Sequence, residues 1–121
     1  MTERFTINLP WPHKDLSPNA RGHWGKKANA TKKARKDGYN ASLAAGVSKI
    51  DAKAAHVTTT FFPPTLAGFD DDNLQARCKA FFDGISDAIG IDDKHFKHAP
   101  VQRGEVRKLG AVMVEIEVRH G

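Results

Sequence analysis

A chain of 121 residues has room for one compact domain, residues 1–121, and its 40% hydrophobic and 27% charged residues are ordinary for a soluble globular protein. No apolar run nears the ~20 residues a membrane span needs, and Met1 to Trp11 lacks the apolar segment of a signal peptide. The lone Cys78 excludes an internal disulfide and a cysteine-based zinc site, so the expected setting is a reducing cytoplasm.

The net charge of +5 points to a polyanionic partner, because Lys and Arg release condensed counterions when they neutralise phosphates. Its distribution is more informative. Between Leu16 and Lys36 stand seven basic residues and no acid: Arg21, Lys26, Lys27, Lys32, Lys33, Arg35 and Lys36. Asp70 to Asp93 holds seven of the fourteen acids.

Taken in chain order, Phe5, Ile7 and Leu9 alternate with polar residues and predict a strand over Arg4 to Pro10. Pro10 and Pro12 end it and keep the chain extended around Trp11. Leu16 to Gly25 is rich in Pro, Asn and Gly and reads as loop. Ala28 to Ala45 predicts a helix with Gly38 as a weak point and Gly46 as its stop. Its basic residues give it a solvated or DNA-facing character. His56 to Phe62 predicts a second strand, closed by Pro63-Pro64. Leu74, Cys78, Phe81, Ile85 and Ala88 recur at three- and four-residue steps, so Asn73 to Ile89 reads as one helix, capped by Asp72 or Asn73 and ended by Gly90. His95 to Arg103 suggests a short strand and Gly104 to Gly110 a charged loop. Val112, Val114, Ile116 and Val118 alternate with Met113, Glu115, Glu117 and Arg119 in the clearest strand of the chain. The expectation is an α/β (α+β) domain with a small mixed sheet of about four strands and two main helices, ordered β-α-β-α-β-β.

The chemistry concentrates in Asp70-Asp71-Asp72. In an extended segment the side chains of Asp70 and Asp72 share one side. Paired carboxylates repel unless a cation lies between them, and hard oxygen ligands suit magnesium or manganese. A polar turn whose Asp caps the next helix accounts for the run without any metal. Asp92-Asp93 offers more carboxylates, but a helix from Asn73 to Ile89 is ~25 Å long, so Asp93 joins the first pair only if the chain folds back. Phosphodiester hydrolysis also needs a positive group near the phosphate. Lys79 lies two turns beyond Asp72 on nearly the same face, a position equally suited to a solvated lysine.

At these residues the sequence resembles the RusA family of Holliday-junction resolvases, small nucleases of bacteria and their phages. The resemblance runs through Leu9-Pro10-Trp11-Pro12, then Asp70-Asp71-Asp72-Asn73-Leu74 opening a helix, Ile91-Asp92-Asp93, and the closing Val/Ile/Glu strand. It covers essentially the whole chain. It implies a magnesium-dependent endodeoxyribonuclease, with manganese able to substitute, that resolves four-way branched DNA in recombination and repair. The implied metal ligands are Asp70, Asp72 and Asp93. The implied form is a homodimer, which presents one active site to each of two opposed strands of a two-fold junction. The implied place is the cytoplasm of a bacterial host, with a phage or prophage type of gene. The family's catalytic lysine, commonly four residues past the second motif Asp, is replaced here by Ala76. Lys79 one turn on, or Arg77, is the candidate in its place. The basic residues from Arg21 to Lys36 would contact DNA phosphates without reading sequence.

Other readings compete. A basic nucleic-acid-binding module without catalysis explains the charge but leaves the aspartates idle. An Asp…Glu-x-Lys nuclease lacks its lysine, because Glu115-Ile116-Glu117 puts a glutamate in the lysine's place, and these charges read as the solvated face of the strand. His95 and His98, three apart in a strand or loop, make a poor zinc pair. Cys78 reads as core, Phe81 and Phe82 as core or dimer contacts before DNA-stacking groups, and Trp24 as a core or packing residue before a base-stacking one.

Overall fold

The computed structural model describes residues 2–17, 22, 24–66, 68 and 70–119. Strands are β1 (Thr2–Pro10), β2 (Ala55–Phe62), β3 (Phe96–His98), β4 (Gln102–Arg103) and β5 (Ala111–Arg119); helices are α1 (Trp24–Ala44), α2 (Asp71–Arg77) and α3 (Lys79–Ile89). The protein is a mixed α+β domain built on one sheet ordered β1-β5-β2-β3, with β4 also paired to β2.

The period-2 patterns set the register. β5 pairs antiparallel with β1 and with β2, so Val114 stands between Ile7 and Thr59, and Ile116 between Phe5 and Val57. The inward row of Val112, Val114, Ile116 and Val118 is almost wholly buried. The outward row carries Glu115, Glu117 and Arg119, with Arg4 bound to Glu117 at 3.3 Å. β3 and β4 run parallel to β2, the first beside Ala55–Val57 and the second beside Thr60–Phe61. The segment expected as one strand over His95 to Arg103 is thus two short pieces separated by Ala99, Pro100 and Val101, where Pro100 has no N–H for a ladder.

α1 begins four residues earlier than the pattern predicts, taking Trp24 and Gly25 into the helix, and Gly46 follows its end at φ +88°. Gly38 is not a weak point. A Cβ there would collide with the Phe81 carbonyl of α3, and one at Gly84 would collide with the Arg35 carbonyl of α1. The two helices therefore cross where each offers a glycine, along a buried seam of Ala34, Gly38 and Ser42. The rest of α1 keeps the solvated character expected of it, with one narrow packing edge.

The helix expected from Asn73 to Ile89 is broken at Cys78. The Cys78 N–H donates to the Gln75 carbonyl, a tight i→i−3 turn, and Phe82 restarts the ladder by donating to Cys78. The apolar stripe survives the break: Leu74, Cys78, Phe81, Ile85 and Ala88 are all buried. Burial pushes the Cys78 thiol up to about 12, against the opposing charge of Arg77. Among the described residues no helix is long and apolar enough to cross a membrane.

Candidate active site

α2 starts at Asp71 because Asp70 caps it. Asp70 has extended backbone (φ −75°, ψ 122°), and the Asp72 N–H donates to its Oδ1 at 2.9 Å. The cap is thus Asp70 and not Asp72 or Asn73. Asp71 and Asp72 already lie in the helix, where successive side chains diverge by about a quarter turn, so the alternation expected of an extended segment does not apply. Asp71 turns to the β4 edge, where Arg103 Nε donates to its Oδ1 at 2.7 Å. Asn73 reaches the other way and donates to Ser17 Oγ at 3.1 Å.

The fold carries Asp93 to Lys79. α3 ends at Gly90 in the left-handed region (φ 79°), and Ser86 Oγ donates to the Ile91 carbonyl at 2.7 Å, which fixes the reversal. Asp92 then caps a single 3-10 turn, Asp93–His95, by accepting from the Lys94 N–H. Lys79 Nζ sits 2.7 Å from Asp83 Oδ1 and 2.5 Å from Asp93 Oδ2. The two carboxylates raise the Lys79 pKa, the Asp83 bond contributing most, and the Lys79 ammonium lowers that of Asp93.

Asp72 and Lys79 line one open hollow of about 250 Å³, together with Gln75, Ala76, Phe82 and His98. Ala76, one turn before Lys79, presents only a methyl there. The His98 ring meets Phe82 edge-on at 4.8 Å. Burial lowers the His98 pKa, and the charge of Asp93 opposes that shift. His98 is a member of this site, although in the sequence it offers only a poor zinc pair with His95. Its only signal is long-range, since the parallel pairing of β3 with β2 delivers it. Arg103 escapes sequence reasoning for the same reason.

Arg77 is elsewhere. Its Nε is buried with no hydrogen-bond partner among the described residues. Between the two basic candidates, the hollow holds Lys79.

The carboxylate oxygens of Asp70, Asp72 and Asp93 suit a hard divalent ion. Lys79 already acts as a cation between two acids, so the site calls for positive charge. As the side chains stand, however, no three His, Cys, Asp or Glu groups are gathered to hold a metal among the described residues. Asp72 shares the hollow with Lys79, Asp93 is bound to Lys79, and Asp70 is engaged as the cap.

The basic segment divides by use. Arg35 forms a two-pronged pair with Asp87 of α3 at 2.7 and 2.8 Å, and Lys33 pairs with Asp37 at 2.8 Å. Lys27, Lys32 and Lys36 are exposed, with no ion pair among the described residues, and Lys26 borders a cleft beside α1. Arg21 lies outside the described residues. Trp24 is 78% exposed, which removes it from the core.

Fold and site together define a small α+β domain with an acid-and-lysine hollow where α2, α3 and β3 meet. The chain is 44% identical over 116 residues to a protein of Xylella fastidiosa (strain Temecula1) described as "Uncharacterized protein", across 92% of this chain and 74% of that one. It belongs to the same family as that protein. No protein-family model matches the chain.

Proposed function

We propose that this protein is a metal-dependent endodeoxyribonuclease of the RusA type, cutting four-way branched DNA as a homodimer in a bacterial cytoplasm. The observation that carries the reading is the Lys79–Asp93 pair, made across 14 residues beside the hollow that Asp72 lines. The order of elements supports it, as does Ala76 opening on the same hollow as Lys79, which lets a lysine one turn later serve where the family places its own.

In this reading Asp72 and Asp93 hold the metal, with Asp70 the third carboxylate. A bound magnesium ion supplies Lewis-acid polarisation of the phosphate and acidifies a water. Lys79 holds Asp93 in place and adds positive charge where charge builds up on the phosphate oxygens. Lys27, Lys32 and Lys36 hold the arms through phosphates alone. One observation favours a second reading, a nucleic-acid-binding module without catalysis: the three carboxylates are not gathered.

Incubation of the purified protein with a labelled four-way junction tests the proposal. Cutting in magnesium, none in EDTA, and loss of cutting with retained binding in Asp72→Asn are the expected results. Binding without cutting in magnesium or manganese leaves the module, and near wild-type cutting by Asp72→Asn removes the assigned site.

A further inference from the structure

We infer that the cleft between α1 and the end of β1 receives a nucleobase drawn out of a strand that lies along α1. The inference rests on the nucleic-acid reading above and adds a base site to it. The cleft encloses about 410 Å³, within the range of about 300–1,000 Å³ typical of small-molecule sites. One face of α1 forms a wall, with Lys26, Asn29, Ala30, Lys33, Ala34 and Asp37 following each other at helical spacing. Trp11, Leu16 and Phe81 supply the apolar surface opposite.

Three features select a base over other occupants. Ala30 and Ala34 project only methyls, which leaves a space with an aromatic side for a flat ring. Trp11 is fixed before any ligand arrives: it meets Phe61 edge-on at 6.0 Å, and at Gly110 a Cβ would come within 2.9 Å of it. The rim mixes donors and acceptors, the Asn29 amide offering both beside the Lys26 ammonium while Lys33 holds Asp37, and a base edge carries the complementary mixture.

The backbone of such a strand has a place to lie. Lys32 and Lys36 follow Asn29 by three and seven residues, next to the cleft on the exposed side of α1. The cleft is also tied to the acidic site. Ser17, next to the wall residue Leu16, accepts the hydrogen bond from Asn73, and the adjacent Phe81 and Phe82 line cleft and hollow respectively.

The test uses the full chain in metal-free buffer and an oligonucleotide bearing one 2-aminopurine. Anisotropy reports strand binding and 2-aminopurine emission reports unstacking. The expected result is an emission change on binding that Ala30→Phe, which fills the cleft, removes. Exposed Asn29→Ala, which does not threaten folding, should weaken it by about tenfold, the worth of one hydrogen-bonded base edge. An unchanged emission on a bound strand overturns the cleft alone, as does a change that survives both substitutions. Absence of strand binding overturns the nucleic-acid reading instead. An emission change without cleavage in magnesium supports the cleft and removes only the nuclease.

Discussion

Lys79 Nζ stands 2.5 Å from Asp93 Oδ2, although the two residues open and follow a helix of eleven residues. The lysine side chain runs along α3 past Asp83, and the reversal at Gly90 returns Asp93 to meet it. This relationship joins the end of α3 to its beginning and brings Asp93 to the lysine that shares a hollow with Asp72.

The pair has a pH signature in metal-free buffer. Asp93 lies below its ordinary 3.8, so its share of stability is present above that value and lost as pH falls through the lowered one. Lys79 lies above its ordinary 10.5, so its share is present below 10.5 and lost as pH rises through the raised value. Lys79→Met should return the Asp93 midpoint upward toward its ordinary value, followed by carboxyl-carbon NMR. Because the Lys79 side chain is 65% exposed, the cost at neutral pH should stay below about 1 kcal/mol in a urea melt.

The helix crossing should be far less tolerant. Gly38→Ala sets a methyl against the Phe81 carbonyl, and Gly84→Ala sets one against the α1 backbone, where nothing flexible can give way. Each substitution should cost about 2–3 kcal/mol in chemical denaturation despite favouring helix locally.

The basic residues of α1 should separate into two kinds. Ala at Lys27, Lys32 or Lys36 should leave stability unchanged and lower the salt slope of DNA binding by about 0.9 for each phosphate no longer neutralised. Arg35→Ala should instead lower the thermal midpoint slightly, since it breaks an exposed pair with Asp87 that solvent screens. Fluorescence anisotropy across a salt series, with thermal melts alongside, distinguishes them.

Much of the fold is legible in the sequence because hydrophobic period is a local property. β1 and β5 lie where alternation puts them, β2 lies where its Thr, Val and Phe content puts it, and the stripe from Leu74 to Ala88 is buried as spaced. What local pattern does not carry is contact between distant segments. Gly38 reads as a helix weak point until Phe81 is known to cross over it. The break at Cys78 leaves the apolar spacing intact and so leaves no trace in it. Of the site, the aspartates and Lys79 are visible as residue types. The bond between Lys79 and Asp93, the place of His98 and the engagement of Asp71 by Arg103 all depend on the turn after α3 and on parallel pairing with β2.

Whether Asp72 and Asp93 hold a divalent metal beside Lys79 decides the proposed function. Diffraction from manganese-soaked crystals, with anomalous signal collected at the manganese edge, tests it most directly. The expected result is a peak bound by the carboxylates of Asp72 and Asp93, with Lys79 still paired to Asp83. No peak there at millimolar manganese, or one bound without either aspartate, would contradict it.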